Sequence, residues 1–290
     1  MKSLMTNAFH IKAPAKINRF LHIVGQRKDG YHLLQSVFQL IDLHDDIYLT
    51  ASADGLVHRP TGAPNVPPEE DLVVRAAKLL QEYTHTNQGC TIQVEKRIPM
   101  GAGLGGGSSD AAATLWGLNE LWNLKLSRQE LMQLGVKLGA DVPFFLFGEN
   151  AFVEGIGELL QAVSLPKSCF LLIYPKVHIP TVDVFKDPNL TRNHPTVTIS
   201  DFIDSPNLEQ FGNNDCEEVV IQKYQEVAAV LNWLRQQAPQ SSPRMSGSGS
   251  SVFVALETDL ANHLLSQLPN QWIGFVVRGL TRHPSYNPSS

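Results

Sequence analysis

Pro99-Met100-Gly101-Ala102-Gly103-Leu104-Gly105-Gly106-Gly107-Ser108-Ser109-Asp110 places five glycines within seven positions and runs into Ala111-Ala112-Ala113-Thr114-Leu115-Trp116. Glycine lacks a Cβ and tolerates positive φ, so this backbone can curl its N–H groups toward one point. The alanine-rich run predicts a helix with Leu115, Leu118 and Trp122 on one face. Its N-terminus, where the loop ends, adds unpaired N–H groups and the positive end of the helix dipole. Ser108 and Ser109 bring two hydroxyls into that first turn. Such a stretch suits a polyphosphate.

Other readings of the glycines fit their surroundings less well. A flexible linker needs polar, structureless flanks, but the run Cys90–Lys96 predicts a strand before the loop and a helix follows it. Gly101, Gly103 and Gly106 satisfy G-x-G-x-x-G, yet a dinucleotide-binding turn requires a second parallel strand ending in an acidic residue. Here Ser127 and Glu130 instead form a capping box that opens another helix, through Leu131, Leu134 and Leu138 to a stop at Gly139. A Walker loop is excluded because no Gly-Lys-Ser/Thr follows.

The composition is that of a globular chain: 290 residues, 43% hydrophobic, 18% charged, with a formal net charge of −5. That balance gives no reason to expect nucleic acid or an anionic membrane as partner. Cys90, Cys169 and Cys216 are scattered without C-x-x-C spacing, which argues for a reducing compartment and against zinc or a disulfide framework. Met1–His10 lacks an apolar signal core and no stretch approaches the ~20 apolar residues of a membrane span. The expected location is cytoplasmic; oligomeric state is not legible.

Strands are predicted from Ile17, over Val37–Ile41 and over Asp46–Thr50, with Asp71 capping a helix that carries Leu72, Ala76, Leu79 and Tyr83 on one face. Pro60–Glu70 reads as a loop. Lys16 and Asn18 form a period-two pair on a strand that otherwise looks buried. A lysine there fits either a solvated strand edge or a site for a paired anion. Tyr31-His32 follows the Asp29-Gly30 turn, as a surface plug or as a ligand contact. In Gly139-Ala140-Asp141-Val142-Pro143-Phe144-Phe145, Val142 precedes proline and predicts a sharp exit from the preceding helix. Asp141 is then a solvated turn residue or a functional carboxylate; its apolar flanks favour the second.

The second half opens with the strand Cys169–Tyr174. Phe185 follows, read by itself as a core aromatic, and residues 187–206 form a polar loop without an assigned role. One long helix is predicted over Asp215–Gln237, a short one over Asp259–Leu268, and a strand over Ile273–Arg278. Ser246-Gly247-Ser248-Gly249-Ser250-Ser251 resembles a linker in composition, but is tied directly to the strand Val252–Leu256. The tail from Thr281 is expected to be mobile.

The loop from Pro99 to Ala112 resembles the phosphate loop of the GHMP kinases, the superfamily of galactokinase, homoserine kinase, mevalonate kinase and phosphomevalonate kinase. The triple glycine is similar to the branch that phosphorylates 4-diphosphocytidyl-2-C-methyl-D-erythritol on its 2-hydroxyl in the non-mevalonate isoprenoid pathway. Ala15-Lys16-Ile17-Asn18 resembles the first motif, although Arg19 stands where leucine is usual; Gly139–Phe144 resembles the segment of the catalytic aspartate; 243–251 resembles the third motif, which supports the phosphate loop. Gly30-Tyr31-His32 resembles the cytosine pocket, with Phe185 on the other face of the ring.

The resemblance implies an α/β (α+β) two-domain GHMP kinase fold, with a ribosomal-S5-like domain over 1–160, a ferredoxin-like domain over 161–290 and the site in the cleft between them. Asp141 would be the base and Lys16 its catalytic partner. Pro99, Met100, Gly101, Ala102, Gly103, Leu104, Gly105, Gly106, Gly107, Ser108 and Ser109 would hold ATP, with Mg²⁺ bridging its phosphates. Asn18, Tyr31, His32 and Phe185 would bind a small substrate carrying a cytidine diphosphate group. A kinase for another small alcohol, or a catalytically silent nucleotide-binding relative, are the alternatives; the presence of both Lys16 and Asp141 counts against the silent one.

Overall fold

The computed structural model describes residues 8–286; the first residues of the N-terminal stretch and the last four of the tail lie outside them. Strand β1 (Phe9–Gln26) carries hydrophobic residues on both faces through its middle, among the buried Lys16, Asn18, Arg19 and His22, as a strand covered on two sides does. It pairs antiparallel with β2 (His32–Ser52), with register shifts at Pro14/Ala15, Asn18/Leu21 and Ile23/Gly25. The two strands expected over 37–41 and 46–50 are thus one. Nothing between them breaks the backbone, and β2 serves two neighbours, β5 (Ala151–Glu154) near its start and β4 (Gly89–Glu95) near its end.

With β3 (Val57–His58) and β6 (Leu159–Ala162), the first sheet has the order β3-β4-β2-β5-β6, and β1 pairs with β2 off that path. Helices α1 (Leu72–Thr84), α2 (Gly106–Leu121), α3 (Arg128–Val136) and α4 (Val142–Phe147) share its apolar core. Asp71 caps α1 by accepting from Val73 N, as expected. The buried face of α1 is rotated from the expected one: Val73, Val74, Ala76, Ala77 and Leu80 are buried while Tyr83 is 47% exposed. Ala76 and Ala77 are small enough to let α1 lie close to α2, and that contact overrides the larger side chains.

Ser127 and Glu130 form the expected capping box of α3. The helix ends earlier than its leucines suggest, at Val136 with Lys137 as cap, and Leu138 and Gly139 turn back onto Gly135 O. The chain does not leave as an extended segment. Asp141 occupies the N-cap position of α4, because proline is well tolerated in a first helical turn.

The second sheet, antiparallel in the order β10-β7-β9-β8, comprises β7 (Cys169–Tyr174), β8 (Arg244–Met245), β9 (Val252–Ala255) and β10 (Ile273–Arg278). Short helices α5 (Thr181–Phe185) and α6 (Ile199–Ile203) lie in the segment after β7, and α9 (Thr258–Ser266) flanks β10. The single helix expected over 215–237 is two, α7 (Asp215–Lys223) and α8 (Gln225–Gln237), broken where Tyr224 adopts φ −120°, ψ 92°. Apolar periodicity runs through the break, since Val219, Val220, Val227, Leu231 and Leu234 all enter one core, and so it conceals a one-residue interruption.

Arg19 is buried at the seam between the halves. It donates to Gln39 Oε1 at 2.7 Å and pairs with Glu209 at 2.7 Å, which compensates its desolvation. The C-terminal segment is the clearest departure from expectation. His283 and Tyr286 are buried and stacked at 3.6 Å, Tyr286 packs on Trp116 at 4.7 Å, and His283 N donates to Gly148 O at 2.7 Å. Burial of two rings outweighs the entropy that favours a loose tail. All three cysteines are free, and no helix among the described residues is long and apolar enough to cross a membrane.

Candidate active site

A cleft of about 470 Å³ lies between the glycine stretch, β1, the head of α4 and the segment that carries α5. Residues 106–109 are not loop: α2 begins at Gly106, five residues before the alanines, with Gly105 as its left-handed N-cap (φ 70°). Helix starts leave N–H groups unpaired, so the poor helix formers Gly106 and Gly107 stand where bare donors face the cleft. Gly103 (φ 74°) presses against the Ser246 carbonyl, where no side chain fits.

Three backbone and side-chain links hold the curl. Lys16 N donates to Leu104 O at 3.0 Å, Ser251 N to Ala102 O at 3.1 Å, and Ser246 Oγ to Gly103 O at 3.0 Å. Asn214 Nδ2 in turn donates to Met245 O and Gly247 O. The Ser-Gly segment is therefore a buttress, and its flexible composition is what permits close approach to the glycine curl.

Lys16 is buried in the cleft wall. Its Nζ lies 3.3 Å from Asp141 Oδ2, donates to Asn18 Oδ1 at 2.6 Å and sits 4.3 Å from the Phe38 ring centroid. Asn18 Nδ2 donates to Ser36 Oγ at 3.0 Å, which turns its carbonyl oxygen toward the lysine. The Asp141 side chain caps no helix N–H and is 29% exposed toward the cleft, so its carboxylate is open to a ligand as well as to Lys16.

A second cation was not anticipated. Lys96 lines the cleft and binds Asp45 Oδ2 at 2.5 Å and Asp110 Oδ2 at 2.6 Å. Burial pushes the Asp110 carboxyl well above the usual carboxylate range, against the pull of Lys96. Burial alone would lower Lys96, but the two carboxylates outweigh it and hold the ammonium above its ordinary value. The only sequence signal for this residue was its place three positions ahead of Pro99. Ala63, Val66 and Glu70 of the proline-rich loop, with Asp71 and Leu72 at the start of α1, also line the cleft.

Of the residues singled out from sequence, Lys16, Asn18, Asp141, Phe185 and the run Pro99–Ser108 line this one cleft. Ser109 is fully buried behind it, with its hydroxyl unpartnered. Tyr31 is 59% exposed on the β1–β2 turn and does not line the cleft. His32 lies beside Phe185, ring centroids 5.1 Å apart, and accepts from Arg192 Nε at 3.1 Å. Arg192 belongs to the polar stretch that carried no sequence signal.

A cavity of this size, with backbone donors at a helix start and two lysines, fits a nucleotide polyphosphate. Residues 71–149 match the family described as GHMP kinases N terminal domain, and residues 205–274 match GHMP kinases C terminal. The chain belongs to the GHMP kinases, and it is an ATP-dependent small-molecule kinase of mixed α/β fold. It is 56% identical to the 4-diphosphocytidyl-2-C-methyl-D-erythritol kinase of Polynucleobacter asymbioticus, over 96% of this chain and 95% of that protein. It is 52% identical to the kinase of the same name from Ralstonia nicotianae, over 98% of each. A crystal structure of 4-(cytidine 5'-diphospho)-2C-methyl-D-erythritol kinase superposes with a TM-score of 0.78 at 32% identity, covering 94% of this chain and all of that one. A mevalonate kinase at 15% identity and a TM-score of 0.66 shares the fold.

Proposed function

We propose that this chain transfers the γ-phosphoryl group of ATP to the 2-hydroxyl of 4-diphosphocytidyl-2-C-methyl-D-erythritol, giving the 2-phosphate and ADP. The reading rests on full-length likeness to kinases of that name and on one observation above all. A buried ammonium, Lys16, and an accessible carboxylate, Asp141, meet at 3.3 Å beside a row of bare helix-start amides.

Phosphoryl transfer depends on positioning and on neutralising charge more than on covalent chemistry. The amides at the start of α2 cradle the ATP phosphates, and Lys96 adds charge at the cleft wall. Asp141 accepts the hydroxyl proton as the alcohol oxygen attacks the γ-phosphorus and the bond to the β-phosphate oxygen breaks, leaving ADP. Lys16 holds the Asp141 side chain in place at 3.3 Å and faces the charge on the transferred group, while Asn18 orients Lys16.

The donor set suits magnesium arriving with the nucleotide: Asp141 and Ser108 line the cleft, and no cluster of three or more His, Cys, Asp or Glu side chains among the described residues forms a dedicated cage. When bound, the ion would neutralise phosphate charge, with Asp141 and Ser108 its protein-side neighbours. Tyr31, His32 and Phe185 enclose the cytosine; Tyr31 must swing inward from its exposed position to do so. The boundary expected at 160/161 falls within β6, which pairs with β5 through Ala162, so the first domain extends to Ala162 and the second follows it. The enzyme is cytoplasmic.

The test is ADP release by purified protein given ATP, magnesium and the diphosphocytidyl substrate, compared with Asp141→Asn. Turnover by the native chain and its loss in the variant are expected; equal turnover would remove Asp141 from its role.

A further inference from the structure

We propose that Arg192 is a positioning residue that locks His32 as its Nδ1–H tautomer and thereby makes the pocket select cytosine over uracil. This rests on the nucleobase reading of the cleft given above. All three guanidinium nitrogens donate: Nε to His32 Nε2 at 3.1 Å, Nη1 to Leu190 O at 3.1 Å, and Nη2 to Phe185 O at 3.0 Å and Asp187 O at 2.7 Å. Three main-chain carbonyls fix the plane of the fork, so the fourth bond has a set direction. The same cation holds the backbone of Phe185, whose ring lies at 47° to that of His32.

Guanidinium nitrogens only donate, so the imidazole nitrogen that meets one must accept. His32 Nε2 therefore carries no proton, and the proton of the neutral ring is on Nδ1. Burial and the Arg192 charge both depress the His32 pKa, which keeps the ring neutral. Among the described residues no protein group bonds Nδ1, so that N–H is left to a ligand or water.

A fixed N–H donor discriminates between pyrimidines. Cytosine N3 is an acceptor; uracil N3 carries a proton. The first completes a hydrogen bond with Nδ1–H, and the second sets two donors against each other, which leaves both unpaired when water is excluded. Without Arg192 the ring is free to shift its proton to Nε2, which turns Nδ1 into an acceptor for uracil, or to turn over, which withdraws the donor from cytosine.

The experiment combines ¹⁵N NMR of histidine-labelled protein without ligand and titrations with cytidine and uridine 5'-diphosphate, on native protein, Arg192→Met and Arg192→Lys. The His32 signal is assigned by its loss in His32→Gln. Native protein should show the Nδ1–H tautomer and bind the cytidine compound at least about tenfold more tightly. Both variants should show mixed tautomers and a ratio within about threefold of unity. Arg192→Lys keeps the charge and can still bond a carbonyl, so it guards against simple misfolding, as its melting temperature will report. An Nε2–H or cationic ring in native protein, or an unchanged ratio in both variants, overturns the proposal. A locked ring with no binding of the cytidine compound removes the nucleobase reading, and the selectivity with it.

Discussion

Lys16 Nζ stands 3.3 Å from Asp141 Oδ2, one residue on β1 and the other at the head of α4, and the glycine curl closes over both. Lys16 also bonds that curl through its own backbone N–H, so one residue registers both phosphate cradle and proton acceptor. Lys16→Met should lower kcat by about 10²- to 10³-fold, the scale seen when one preorganised charge partner of a transition state is removed. Steady-state kinetics would check this, with ATP affinity changing much less than kcat.

Gly103→Ala tests the curl itself. A Cβ there meets the Ser246 carbonyl, and φ of 74° is strained for alanine in any surroundings. Loss of about 1–3 kcal/mol of stability is expected by chemical denaturation, together with weakened nucleotide binding. Full binding at native stability would show that the contact yields easily.

Lys96→Met leaves Asp45 and Asp110 buried together without their cation, at an expected cost of about 3–5 kcal/mol at neutral pH. Asp110 is an acid whose pKa is raised on folding, so protonation favours the folded state. The carboxyl is already raised to about 8 in the native protein and rises further without the pull of Lys96, so the deficit should stay level from pH 7 to 5.5 and grow only as pH climbs above about 8, measured by urea denaturation at each pH.

Acid should destabilise the native protein through two buried neutral histidines. Burial depresses His283 to about 3 and His22 to about 4. In the unfolded chain both take up protons near pH ~6.5, so between there and pH ~4 the unfolded state binds more protons and stability falls as pH falls. Each contributes up to about 1.4 kcal/mol per pH unit over that window. His283→Gln should flatten the slope of melting temperature against pH; an unchanged slope would clear His283 of the effect.

Much of the site was legible because its chemistry is local in sequence. The glycine stretch, the Lys16/Asn18 pair and the apolar flanks of Asp141 each carry their own physical signature, and the structure brings them to one cleft. What could not be read depends on partners far away in the chain. Lys96 is informative only once Asp45 and Asp110 are beside it, and Arg192 only once the 187–206 stretch has folded over His32. The fold departs from expectation for similar reasons. Periodicity cannot see the single extended residue Tyr224 between α7 and α8, nor that β2 continues unbroken between two partners. The Val142-Pro143 pair predicts an exit from the preceding helix, although a first helical turn accepts proline equally well.

The burial of His283 and Tyr286 has a consequence for biosynthesis. Leu280 N bonds Leu40 O, Ser285 Oγ accepts from Lys12 N, and His283 N bonds Gly148 O just past the helix that Asp141 opens. In chain order each of these residues follows its partner, so it leaves the ribosome later. The N-terminal half therefore waits, with Trp116 uncovered, until Tyr286 has emerged, and a nascent chain stalled before Tyr286 leaves that half unfinished.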